Sequence, residues 1–136
     1  MTRAAPERAR NPKAPRKPKV SEQQVVDAIR SRLVLSGVIC QVNSNEARSA
    51  AFKRAVKIRG TIGGFPDLTV ISSDGRTAYL EVKTPTAKPR NAKDAAHWQR
   101  QAETQAMLRR MGHDVAVVRS QDEAVLLLQE WGWNVR

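Results

Sequence analysis

The period of the apolar positions changes along the chain. Val25, Val26, Ile29 and Leu33 recur at three- and four-residue intervals, the mark of an amphipathic helix. Ser21-Glu22-Gln23-Gln24 ahead of them reads as a capping box with Ser21 as N-cap, and Gly37 ends the helix. Residues 38–43, VICQVN, read as a strand. From 65 to 85 the period shortens to two on either side of Asp74-Gly75, which predicts a β-hairpin. A second helix is expected from about residue 94 to 111, closed by Gly112, and then a strand over 114–120. Ser120-Gln121-Asp122-Glu123 reads as a second capping box leading into the apolar run AVLLLQEWGW. The expected order is helix, strand, two-stranded hairpin, helix, strand, helix: one α/β layer structure without an internal repeat.

The hairpin register can be derived from pattern alone. With Asp74-Gly75 as a two-residue turn, Leu68 would oppose Glu81 and both faces would mix apolar and charged residues. With Ser73-Asp74-Gly75 as a three-residue loop and Gly75 in the left-handed position of a G1 bulge, Val70 opposes Ala78 and Leu68 opposes Leu80. One face is then cleanly apolar, and the other carries Asp67 opposite Glu81 with Lys83 two residues further on.

That second face has chemical consequences. Opposed carboxylates, about 5 Å apart at Cβ, repel, and a divalent cation between them removes the cost. Hard oxygen donors without cysteine suit Mg²⁺ or Mn²⁺ better than zinc. Lys83, about 7 Å along the same face, can stabilise charge developing on a phosphate or orient a water. Gly63, Gly64 and Pro66 fit a bend where a strand begins near a ligand. Glu22 sits at the N-terminal edge of the first helix's apolar stripe, where position alone makes it a carboxylate favouring the helix dipole. His97 and His113 lack metal-ligand spacing and read as surface residues, and Trp131 and Trp133 as packing for the last helix or a subunit contact.

Charge adds a partner. The chain of 136 residues carries a net charge of +11, which points to a polyanion, most often nucleic acid. Residues 1–19 hold seven Arg/Lys, one Glu and four Pro with little to bury, and read as a disordered basic arm, either a solubilising tail or a nucleic-acid contact. Residues 20–136 are expected to form one domain. Arg48, Lys53, Arg54, Lys57 and Arg59 face one acid, Glu46, in an irregular segment suited either to phosphate contacts or to solvent. No apolar run approaches the roughly 18 residues of a membrane span. Cys40 is the single cysteine, so no intrachain disulfide or cysteine-rich zinc site is available, and a reducing cytoplasmic setting is expected.

The residues Pro66-Asp67 and Glu81-Val82-Lys83, on a hairpin between two helices, resemble the PD-(D/E)XK nuclease superfamily, whose αβββαβ core builds a small mixed sheet flanked by helices. Within it the chain is most similar to the VRR-NUC family, the virus-type replication-repair nucleases. The likeness spans about residues 20–125 and includes Glu22, Val42-Asn43, GFPDL (64–68), YLEVKT (79–84), Gln101, LRRMG (108–112) and VAVVRS (115–120). It implies a Mg²⁺- or Mn²⁺-dependent DNA endonuclease. Asp67, Glu81 and the Val82 carbonyl would be ligands, Lys83 the catalytic lysine, and Glu22 would complete the acidic cluster directly or through water. Gln101 would face the site from the second helix; Trp98, Gln101, Gln105 and Leu108 share one helical face, and Gln105 is the alternative glutamine. It also implies branched or junction DNA as substrate, a homodimer, and a setting in a bacterial cell or a phage-infected host. A non-catalytic nucleic-acid binder and a Holliday-junction resolvase are the alternatives; acids facing a polyanion argue against the first, and the second differs only in substrate.

Overall fold

The computed structural model describes residues 19–43 and 62–136. The arm read at 1–19, apart from Lys19, and the basic residues Arg48, Lys53, Arg54, Lys57 and Arg59 lie outside the described residues.

Helix α1 (Glu22–Val34) begins with the expected capping box: the Gln24 amide donates to Ser21 Oγ at 3.1 Å, and the Ser21 amide donates to Gln24 Oε1 at 2.8 Å. Strands β1 (Ile39–Val42), β2 (Leu68–Ile71) and β3 (Thr77–Val82) pair antiparallel in turn. Helix α2 (Ala92–Arg110) crosses to β4 (Asp114–Val118), which lies parallel to β3, and α3 (Gln121–Glu130) follows. Among the described residues the result is a mixed four-stranded sheet in the order β1-β2-β3-β4, flanked by three helices.

The hairpin adopts the three-residue loop. Leu68 pairs with Leu80 and Val70 with Ala78. The Ser72 amide donates to the Arg76 carbonyl at 2.9 Å, closing Ser73-Asp74-Gly75, and Gly75 has φ +87°.

Alternation then divides the sheet into two unlike faces. Leu68, Val70, Ala78, Leu80, Val82 and Val118 are fully buried with Ile29 and Leu33 of α1 and Ala124 and Leu128 of α3. Trp133, behind α3, closes this core and Trp131 packs at its edge, so both tryptophans pack rather than stand free. Each fully buried leucine contributes about 1.5–3 kcal/mol. The opposite face lies under α2, whose buried positions are Gln101, Thr104, Gln105 and Leu108.

Some boundaries differ from expectation. Helix α2 starts at Ala92, because Asn91 serves as N-cap and accepts the Asp94 amide at 2.9 Å; Asp94 is the third helical residue, not the first. Strand β4 ends at Val118. In the second capping box Ser120 Oγ accepts the Glu123 amide at 3.1 Å, but the Glu123 carboxylate takes the Arg119 amide at 3.3 Å instead of that of Ser120.

Candidate active site

Pro66 is fully buried and holds the chain extended before Asp67. Asn43, at the end of β1, grips this turn from both sides: its amide donates to the Asp67 carbonyl at 2.7 Å, and its Nδ2 donates to the Pro66 carbonyl at 3.0 Å and to Thr69 Oγ1 at 2.9 Å. The Asp67 side chain reaches across the hairpin, and its Oδ2 accepts the Val82 amide at 2.8 Å. Val82 itself points its side chain into the core.

Glu81 is 1% exposed, and Asp67 lies beside it on the same face. Gln101 Nε2 donates to Glu81 Oε1 at 2.7 Å, while Gln101 Oε1 accepts from Lys83 Nζ at 2.8 Å. Lys83 Nζ stands 3.4 Å from the same Glu81 oxygen and 4.4 Å from the centre of the Trp98 ring. The Gln101 orientation is the one that satisfies both neighbours; flipped, it would set oxygen against carboxylate and nitrogen against ammonium. Gln105 is buried on the same helical face but contacts neither Glu81 nor Lys83 through a hydrogen bond, so the geometry brings Gln101 to the site.

The seat of α2 over this network depends on Gly64. With φ +76°, it lies so close to the helix that an added Cβ would stand 2.9 Å from the Arg100 carbonyl oxygen. Thr104 Oγ1 donates to the Gly63 carbonyl at 3.1 Å and fixes the same contact. On the other side, Arg119 Nη1 donates to the Thr84 and Ala87 carbonyls at 2.9 and 3.0 Å, holding the loop that leaves Lys83.

Glu81 Oε2 is buried without a hydrogen-bond donor. Burial first, and then the Asp67 carboxylate, push the Glu81 carboxyl up to about 8, against the pull of Lys83. A proton or a cation relieves this arrangement, and hard carboxylate oxygens suit a hard divalent ion. Among the described residues no three His, Cys, Asp or Glu side chains form a ready ion-binding group, and Glu22 stands exposed in the first turn of α1. Its position is that of a helix-dipole carboxylate on the solvent side, not one tucked against the buried stripe. His97 and His113 are both exposed, and His113 packs edge-on against Tyr79, which in turn packs against Phe65. The Cys40 thiol, pushed up to about 11 by burial, is held un-ionised.

The family model of the VRR-NUC domain matches residues 10–122. The chain belongs to the VRR-NUC family. Its nuclease-type fold is shared with a solved "VRR_NUC domain", similar at 25% identity over 81% of this chain and 96% of that one, with a TM-score of 0.55. A solved "VRR_NUC domain protein" is 18% identical over 81% of this chain and 83% of that one, with a TM-score of 0.47. No curated protein matches the chain. In this VRR-NUC chain the sequence pattern points to Asp67, Glu81, Lys83 and one of the two glutamines Gln101 and Gln105, but not to the clamps made by Asn43, Gly64 and Arg119. In the sequence Asn43 stands out only as half of a Val-Asn pair, and the Gly63-Gly64 pair is the available signal for a close backbone approach.

Proposed function

We propose that this VRR-NUC domain is a Mg²⁺- or Mn²⁺-dependent endonuclease that hydrolyses phosphodiester bonds in DNA. The observation that carries the reading is the buried Glu81 oxygen without a donor, set beside the Asp67 carboxylate. A structural hairpin gains nothing from burying such a pair, and removing the acids would improve it. A non-catalytic DNA binder has no use for it either, since it opposes a polyanion.

Asp67 and Glu81, with the Val82 carbonyl, would hold the ion, and Glu22 would complete the acidic cluster directly or through water. The ion would supply charge neutralisation at the phosphate and a more acidic water. Lys83 would meet charge developing on the phosphate, its ammonium aimed by Gln101 and shielded on one side by Trp98. Asp67 would be kept in place by the Val82 amide and Asn43. Junction or branched DNA and action as a homodimer in a cytoplasmic setting extend this reading from the family resemblance. No described helix is long and apolar enough to cross a membrane.

Purified protein incubated with linear, circular and branched DNA, with Mg²⁺, Mn²⁺ or chelator, tests the reading. Cleavage should require the ion and vanish in Asp67→Ala and Glu81→Ala with both variants still folded. Lys83→Ala should slow cleavage while metal affinity, measured by calorimetry, stays close to that of the unaltered protein. Cleavage by either carboxylate variant at the unaltered rate would defeat the proposal, and preferential cutting of four-way junctions would narrow it to a resolvase.

A further inference from the structure

Lys93, His97 and Arg100 fall at i, i+4 and i+7 on α2, one continuous stripe of the helix. All three are exposed, and the stripe runs beside the face that carries Gln101. Its lower end is anchored at the site: the Arg100 backbone abuts Gly64, three residues before Asp67. Its upper end meets the loop from Lys83, where Lys88 is exposed and the Arg119 clamp fixes the backbone at Thr84 and Ala87.

Charge bookkeeping along α2 sharpens the pattern. Arg90 is paired with Asp94 at 3.0 Å, while Glu103 accepts from the Gln99 carboxamide at 3.3 Å and keeps its negative charge three residues after Arg100. Among the described residues neither Lys93, Arg100 nor Lys88 has an acidic partner. Cations without an acidic partner among the described residues, on a helix in line with the candidate site, match the charge of a polyphosphate backbone, because neutralising phosphates releases their condensed counterions.

We infer that the Lys93–Arg100 stripe of α2 is a phosphate-tracking surface that holds the DNA backbone across the site. The inference rests on the nuclease reading for its partner and adds the surface that positions it. It places backbone contacts on a helix seated beside the site, next to Gln101.

Binding of full-length protein to duplex DNA, measured in chelator over a range of salt, tests it. Lys93→Ala/Arg100→Ala should reduce the slope of log affinity against log salt by about 1.8 units, from two lost phosphate contacts at about 0.9 each. Arg30→Ala/Arg110→Ala removes the same charge from exposed positions elsewhere and should leave the slope within about 0.5 unit of the original. Equal slopes for the two double variants would overturn the inference. If the unaltered protein cleaves DNA with metal while the stripe variant keeps its slope, the stripe assignment falls alone and the nuclease reading stands. If the unaltered protein neither binds nor cleaves DNA, both fall together.

Discussion

Two faces of one hairpin follow opposite rules. On one, Leu68, Val70, Ala78 and Leu80 are fully buried against α1 and α3, and every side chain is apolar. On the other, one residue away along the same strands, Glu81 and Lys83 are nearly as buried but are held by a glutamine and a tryptophan of α2. The first face stabilises the fold by removing apolar area from water. The second keeps a carboxylate pair in a medium that disfavours its charge, at a cost to stability. The comparison teaches that the sheet is stabilised from one side and carries its chemistry on the other, with alternation keeping the two apart.

Substitutions at neighbouring positions should break this contrast most sharply. Leu80→Ala is expected to cost about 2–5 kcal/mol of stability, read by denaturant unfolding, because it leaves a cavity among fully buried residues. Glu81→Gln, the next residue, should abolish cleavage while leaving metal-free stability at pH 8 equal or higher. A carboxamide there can still accept from Gln101 and can donate towards Asp67. Loss of stability in Glu81→Gln comparable to that in Leu80→Ala would show that both faces are ordinary core.

A smaller effect is expected where α2 meets the sheet. Gly64→Ala combines a positive φ with a Cβ 2.9 Å from the Arg100 carbonyl oxygen, so the helix must shift. The expected cost is about 1–3 kcal/mol. Activity should fall further than stability explains, because Gln101 moves with the helix. Kinetics at a temperature well below the unfolding midpoint separate the two effects.

The smallest effect sharpens the comparison through pH. Glu81 is raised to about 8 from an ordinary 4.5, chiefly by burial and then by Asp67, so the fold favours its protonated form. Its contribution to metal-free stability is complete below about pH 4.5 and is lost as pH rises through 8. Thermal unfolding without metal should therefore show the unaltered protein losing ground to Glu81→Gln between pH 5 and 8.5. Parallel curves for the two proteins would contradict the shift.

Much of this could be read from the chain because it rests on periodicity. Period-two alternation determined which hairpin residues share a face, and Gly75 in a three-residue loop determined the register, so the placement of Asp67 beside Glu81 was derivable before any coordinates. Two glutamines on a helical face that had to be buried pointed towards the site, but the pattern could not choose between them. That choice depends on how α2 is rotated and seated on the sheet, which Gly64 and Thr104 decide through contacts with a segment far away in sequence. Helix α2 starts at Ala92, two residues before the expected start near 94, because the Asn91 side chain caps it. Glu22, expected at the edge of the apolar stripe, is exposed, because the first turn of a helix can flank such a stripe without being covered by it.

The central claim, that Asp67 and Glu81 form an ion-binding pair, is tested most directly by titrating Mg²⁺ or Mn²⁺ calorimetrically in buffers of different ionisation enthalpy. At pH 6.5, below the raised Glu81 value of about 8, ion binding should expel close to one proton per site, and the release should fade above pH 9. Glu81→Gln should bind weakly and release none. Tight binding by Glu81→Gln, or binding by the unaltered protein with no proton release at pH 6.5, would contradict the account.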